Sequence, residues 1–163
     1  MTKNIRLTND NDIPNIEKLL DETFGPGRFA RTAYRYREKR KLLPQYSYVY
    51  QACNDLLASI SFCEIVINNK HVGLLLGPLA VKPGHVGKGY GVSLVETSIE
   101  LIKKNGGYCF IVLVGDIDYY KRFDFKKILR PIDLIGPVNP DRLLILNLDK
   151  KLVIDELKVV KIT

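Results

Sequence analysis

The stretch Val72-Gly73-Leu74-Leu75-Leu76-Gly77-Pro78-Leu79-Ala80-Val81 runs on through Lys82-Pro83 into Gly84-His85-Val86-Gly87-Lys88-Gly89-Tyr90-Gly91, and its reading decides the fold. The first ten residues are almost wholly apolar, which predicts a strand buried on both faces near the sheet centre. The last eight hold four glycines. Beyond them Leu94, Val95, Ile99, Leu101 and Ile102 fall on one helical face, while Glu96, Glu100, Lys103 and Lys104 fall on the other. Asn105-Gly106-Gly107 ends that helix, and Cys109 to Val114 is a second short apolar run closed by Gly115. Strand, loop, helix and strand make a βαβ unit in which 72–81 and 109–114 are predicted parallel. Glycines let backbone N–H groups converge and a helix start adds positive potential, so this loop suits a phosphate. It is not a P-loop, because Gly89 follows Gly87-Lys88 where Ser or Thr belongs and Lys82 stands where the first glycine belongs. It is not a dinucleotide fingerprint either, because Leu94 replaces the third glycine and no acidic residue follows at the proper distance. A glycine-rich turn without a ligand is the bland alternative.

Outward toward the N-terminus, residues 4–7 predict an edge strand, and an Asx-rich stretch caps a helix from Ile13 to Thr23 with Pro14 in its first turn. Ile13, Ile16, Leu19, Leu20 and Phe24 form its apolar stripe, leaving Glu17, Lys18 and Asp21 in water, and Gly25-Pro26-Gly27 stops it. A second helix is predicted over 28–41, with seven basic residues against Glu38 alone. Tyr46, Tyr48 and Tyr50 alternate with smaller or polar residues, and Leu56 to Ile67 alternates again after Asn54-Asp55, which reads as a hairpin. Asn68-Asn69-Lys70 turns the chain into the central strand. Toward the C-terminus a short helix at Asp118 to Phe123 precedes strands at Ile128 to Ile135 and Leu143 to Leu148, joined around Gly136-Pro137. The Lys-rich tail from Lys150 reads either as a last strand or as a frayed end.

At 163 residues and 46% hydrophobic, the chain fits one domain over 1–163 with a sizeable core. A formal charge of +7 attracts anions, leaving nucleotides, acidic metabolites and nucleic acids open. Cys53, Cys63 and Cys109 form no CxxC pair and lie in strand-like stretches, which predicts reduced, buried thiols. His71 and His85 neighbour no cysteine or acid at ligand spacing, so no metal is predicted, and His85 reads as a solvated loop residue. Without an apolar signal region or a membrane-length apolar run, the expected location is the cytoplasm and no membrane partner is expected.

The segment Leu76 to Pro83 leading into Gly87-Lys88-Gly89-Tyr90-Gly91 resembles the pyrophosphate-binding motif of the GNAT superfamily of acyl-CoA N-acyltransferases, with Val86 in place of the usual Gln or Arg. A second block, Gly115 to Phe125, resembles that family's segment of Tyr, two or three residues and Gly-Phe, with Asp124 in place of Gly. Phe24 to Arg35 is similar to a bacterial, YhbS-like subgroup. The resemblance implies an α/β (α+β) fold with a mixed, mostly antiparallel central sheet of about six to seven strands, a parallel βαβ cofactor unit and about four flanking helices.

It further implies acetyl-CoA as co-substrate and an acetyl group moved to a primary amine. Leu79, Ala80 and Val81 would pair through their backbone with the pantetheine arm, an N–H near Leu79 polarising the thioester. The N–H groups of Val86, Gly87, Lys88, Gly89, Tyr90 and Gly91, with Val92 at the helix start, would bind the pyrophosphate, and Lys88 or Lys82 would lie near the adenosine phosphates. Tyr120 matches the family's tyrosine and is the proton donor to the departing thiolate that the resemblance implies; the alternative is a tyrosine packing on the core, a role that Tyr119 fits better. No cysteine stands in a reactive position of either block, which points to direct attack in a ternary complex. Glu64 is either the carboxylate base or a solvated strand residue, and Asp116 is either a ligand or a helix cap. Arg28, Arg31 and Arg35 share a helical face with Lys39; this face either receives an anionic acceptor or is simply solvated. Two other readings stay open: an acyl-CoA-binding module without turnover, prompted by Val86 and Asp124, and a nucleic-acid binder using 28–41 with Tyr34 and Tyr36. An apolar edge on the C-terminal strands leaves room for a homodimer.

Overall fold

Two left-handed turns set the first half of the sheet. The computed structural model describes residues 4–134, 138–150 and 154–163. Its strands are β1 (Ile5–Leu7), β2 (Tyr48–Ala52), β3 (Asp55–Ile67), β4 (His71–Val81), β5 (Phe110–Val114), β6 (Lys126–Lys127), β7 (Ile132–Leu134), β8 (Leu143–Asn147) and β9 (Val160–Ile162). The helices are α1 (Ile13–Phe24), α2 (Thr32–Lys39), α3 (Tyr90–Asn105) and α4 (Ile117–Tyr120). Cys53 and Asn54 join β2 to β3 at φ 49° and 66°, and Asn68 and Asn69 join β3 to β4 at φ 52° and 55°. Consecutive positive φ values give the type I′ twist that matches paired strands. Cys53 is therefore an exposed turn residue and Cys109 is half-buried; only Cys63 is the buried thiol expected of all three.

Seven strands follow one another in the order β1-β2-β3-β4-β5-β8-β6, with β9 joining β3 and β7 joining β9. The β4–β5 and β7–β9 pairs are parallel and the rest antiparallel. The expected βαβ unit is present, and β4 lies mid-sheet. The expected strand from Ile128 to Ile135 is broken, because Pro131 has no N–H for a ladder. Ile128 still donates to Leu143, whereas Ile132 opens the separate β7, which pairs with the tail strand β9. Ile135 and the Gly136-Pro137 turn lie outside the described residues.

One face of the sheet packs on α3 through Phe62, Leu74, Leu94, Val95, Ile99 and Ile102, and each large apolar side chain buried this way contributes about 1.5–3 kcal/mol. The other face is covered by α1 over Ala80 and, farther along, by Tyr36 of α2 and the C-terminal Val160 and Ile162. Of the α1 stripe, Leu19 and Leu20 are buried while Ile13 is exposed. A bidentate pair from Arg6 to Asp12, 2.7 Å at both contacts, ties β1 to the start of α1 and holds the Asp12 carboxyl below the usual range. No helix among the described residues is long and apolar enough to cross a membrane.

The basic segment departs from expectation. A 3-10 turn at Pro26–Ala30 precedes α2, so Arg28 is not on the α2 face. Arg28 is only 3% exposed, and its guanidinium holds Asp21 at 2.8 Å, Glu17 at 2.5 Å and the Tyr34 hydroxyl at 2.7 Å. Tyr34 and Tyr36 are buried as well. They face the core and offer no rings for stacking bases.

Candidate active site

The glycine loop ends at Gly89, whose φ of 84° is the left-handed backbone that glycine adopts freely. Among the described residues no side chain caps α3, and its internal ladder begins with Ser93 N–H donating to the Gly89 carbonyl at 2.9 Å. The N–H groups of Tyr90, Gly91 and Val92 thus have no intrahelical acceptor, and they stand at the positive end of a sixteen-residue helix. Gly91 is required for another reason. A Cβ there would lie 3.0 Å from the Tyr119 hydroxyl and 3.2 Å from Val81. The loop is therefore set directly against the end of β4 and against α4.

Tyr90 stacks on Tyr50 with centroids 4.4 Å apart, fixing the helix start to β2. His85 lies 6.3 Å from the Tyr90 ring, half-buried, with Nδ1 shielded and unpartnered among the described residues, so it is not the solvated residue expected. Lys82 is paired with Asp55 at 3.2 Å, whereas Lys88 is exposed on the loop. Val86 is 74% exposed, so its side chain takes no part in the loop's internal packing.

Beside the loop, β4 and β5 separate. Their parallel pairing runs through Leu74↔Ile111 and Leu75↔Val112 only, while β4 stays paired with β3 as far as Ala58↔Val81. A bulge sets Gly77 and Pro78 against Ser61, whose hydroxyl donates to the Gly77 carbonyl at 3.3 Å. Past Leu75, the β5-facing edge of β4 borders an open cleft of about 570 Å³. Gly77, Pro78 and Leu79 line one side, Gly115, Asp116, Tyr119 and Tyr120 another, and Phe24, Arg31, Tyr34 and Arg142 close it. An extended ligand can add to that edge as a strand would.

Tyr120 sits where the strands part. A Cβ on Gly115 would fall 2.5 Å from its ring, so the glycine after β5 is what admits the tyrosine. Tyr119 meets it edge-on at 4.8 Å and Phe125 at 5.8 Å. Burial, and then Tyr119, push the Tyr120 phenol well above the usual tyrosine range, against a smaller opposing effect of Arg142. Among the described residues its hydroxyl has no hydrogen-bond partner. Tyr119 is also raised by burial, with the Arg122 guanidinium 5.1 Å from its ring centre and opposing the shift. Both tyrosines line the cleft, and Tyr119 also packs against the core and the Phe123 ring, as the packing role expected of it requires.

Asp124 takes φ 67°, the backbone of the glycine it replaces, and Asp is among the few residues that tolerate it. The departure from the Gly-Phe pattern leaves the local geometry intact. Asp116 accepts the Asp118 N–H at 2.9 Å as the cap of α4 while lining the cleft. Glu64 is not brought to the site. It is exposed on β3 opposite Leu74, within electrostatic reach of Tyr108, and Leu74 precedes Leu79 by a span of roughly 16 Å of strand. Phe24 and Arg142 line the cleft without having been singled out as site residues. No local motif marks them, because only the fold brings the end of α1 and the turn before β8 together.

A sequence profile described as the Acetyltransferase (GNAT) family matches residues 13–125. Comparison with curated protein sequences gives no significant match. Among solved structures, the chain is similar to the GNAT family N-acetyltransferase YhbS from Escherichia coli in complex with CoA, with TM-score 0.75 and 21% identity over 96% of this chain and 87% of that one. It is similar to a GNAT family acetyltransferase from Brucella melitensis in complex with acetyl-CoA, with TM-score 0.63 and 25% identity over 88% and 94% of the two chains. A third likeness is to the ribosomal-protein-S18-alanine N-acetyltransferase from Escherichia coli, with TM-score 0.63 and 16% identity over 91% and 97%. With the profile spanning both the glycine loop and the tyrosine segment, the chain belongs to the GNAT family of acetyltransferases.

Proposed function

We propose that the protein transfers an acetyl group from acetyl-CoA to a primary amine by direct attack in a ternary complex. The observation that carries this reading is that the open edge of β4 and Tyr120 line one cleft, with the uncapped start of α3 packed beside it where Gly91 meets Val81 and Tyr119. The similar proteins from Escherichia coli and Brucella melitensis hold CoA and acetyl-CoA respectively, which supports the choice of co-substrate.

In this reading the pantetheine arm lies along Leu79, Ala80 and Val81 as an added strand. The pyrophosphate lies against the N–H groups of residues 86 to 92, and Lys88 adds a nearby positive charge. The neutral amine enters from the Phe24 and Arg31 side and attacks the thioester carbonyl, and a backbone N–H at Leu79 stabilises the oxyanion. Collapse of the tetrahedral intermediate breaks the C–S bond, and Tyr120 gives its proton to the sulfur. Burial keeps the phenol protonated at neutral pH, and it raises the proton affinity of a departing thiolate in the same place. The proton of the attacking amine leaves to water, without a carboxylate base, and water returns a proton to the Tyr120 phenolate.

The test is calorimetric titration of the full chain with acetyl-CoA beside Gly89→Glu, which adds a strained side chain and a negative charge to the phosphate loop. Saturable binding lost in the variant, followed by free-thiol release with an amine, is the expected result. Absence of binding to the unaltered protein overturns the reading.

A further inference from the structure

We infer that the acceptor amine also carries a carboxylate, and that Arg31, from the turn before α2, and Arg142, from the turn before β8, bind it in the cleft. This rests on the acetyl-transfer reading above. Among the described residues, the ionisable side chains lining the cleft are Arg31, Arg142, Asp116 and the three tyrosines Tyr34, Tyr119 and Tyr120. Asp116 is engaged as the cap of α4. Arg28, behind Tyr34, is already matched by Glu17 and Asp21.

The two cleft arginines differ from Arg28 in this respect. The Arg31 guanidinium lies 4.4 Å from the centre of the Phe24 ring, a contact that orients it while using none of its N–H donors on a carboxylate. Arg142 has its backbone fixed at both ends: its N–H donates to Asn139 at 2.9 Å, and its carbonyl accepts from Gly115 at 2.8 Å. That places it beside the glycine against which Tyr120 packs. Among the described residues neither guanidinium has an ion-pair partner. A carboxylate matches the planar fork of an arginine in shape and charge. A second ammonium group on the acceptor would instead meet two like charges with only the capping Asp116 to oppose them, so polycationic amines are disfavoured.

The test uses bisubstrate analogues in which CoA is joined through an S-acetyl linker to the nitrogen of glycine, β-alanine or γ-aminobutyrate, each paired with its carboxamide. Titrated calorimetrically into the full chain, at least one carboxylate analogue is expected to bind about tenfold or more tightly than its carboxamide, as a charge-assisted hydrogen bond implies. That advantage should shrink with added salt and disappear in Arg31→Gln/Arg142→Gln, with the single variants giving intermediate ratios. Equal binding within every pair overturns this inference and leaves acetyl transfer standing. A preference that survives the double variant overturns the assignment to these arginines. Failure of CoA and every analogue to bind overturns the transfer reading and this inference with it.

Discussion

The two sides of the cleft are built by different means. The side formed by β4, with the glycine loop and the start of α3 packed beside it through Gly91, is nearly continuous in sequence, and its offered groups belong to the backbone: the edge past Leu75 and the N–H groups of Tyr90, Gly91 and Val92. The facing side is assembled from the end of α1, the turn before α2 and the turn before β8, and its offered groups are the side chains of Phe24, Arg31 and Arg142. A backbone-built surface tolerates replacement of motif side chains so long as φ values and close approaches survive. Val86 and Asp124 illustrate this, the first pointing into solvent and the second keeping a left-handed backbone. A side-chain-built surface has no such tolerance, and it depends on whatever holds its elements in place.

Tyr120 stands where the two sides meet, so its variant should show the largest effect. Tyr120→Phe keeps the ring against Gly115 and removes the proton donor, and kcat should fall about 10²- to 10⁴-fold while the Kd for acetyl-CoA changes little. Steady-state kinetics beside calorimetry separates the two quantities. The phenol must be protonated to donate, and burial raises its pKa. A descending alkaline limb in kcat should therefore lie above the ordinary tyrosine value, about 10. A limb below about pH 9 would assign proton donation to another group.

Gly91→Val tests the backbone-built side next. Its added atoms must displace Tyr119 or Val81, and the helix start moves with them. Affinity for acetyl-CoA should drop at least about tenfold, with the amine side of the cleft unaltered. Unchanged affinity would mean that α3 does not hold the phosphates.

How much was legible in the sequence follows the same division. The βαβ unit, the glycine loop, the tyrosine segment and the long hairpin all carry local signals of period, glycine spacing or turn chemistry, and the structure has them in place. The helix read over 28–41 did not foretell Arg28, because burial of an arginine depends on Glu17 and Asp21 from the preceding helix, which periodicity treats as solvent-facing. Cys53 looked like a strand residue because alternation cannot distinguish the last strand position from the first position of a type I′ turn. Arg142 carried no signal at all, since its place in the cleft is set by the Gly115 hydrogen bond between two distant segments.

Arg28→Met tests the side-chain-built side through its support. Glu17 and Asp21 are partly exposed and regain water, so the cost falls below that of a fully buried pair, about 2 kcal/mol, or a Tm lower by roughly 4–8 °C. The KM for the amine should rise while the Kd for acetyl-CoA stays, because Tyr34 and the 3-10 turn before α2 shift without disturbing β4. Equal changes in both constants would mean that the two sides are mechanically one.

The smallest effect is expected at Glu64. A strand carboxylate beside the central strand is an attractive base in sequence, but which end of the strand it occupies is fixed only by register, and the Glu64↔Leu74 pairing places it short of the point where β4 and β5 separate. A base must reach the amine proton directly or through one water, and roughly 16 Å of strand between Leu74 and Leu79 is too far for either. Glu64→Gln should therefore leave kcat/KM and the acid limb of its pH profile within about twofold, and stability within about 0.5 kcal/mol. Loss of the acid limb would show that the amine approaches from the α3 side of the sheet, and the backbone-built and side-chain-built sides of the cleft would then exchange roles.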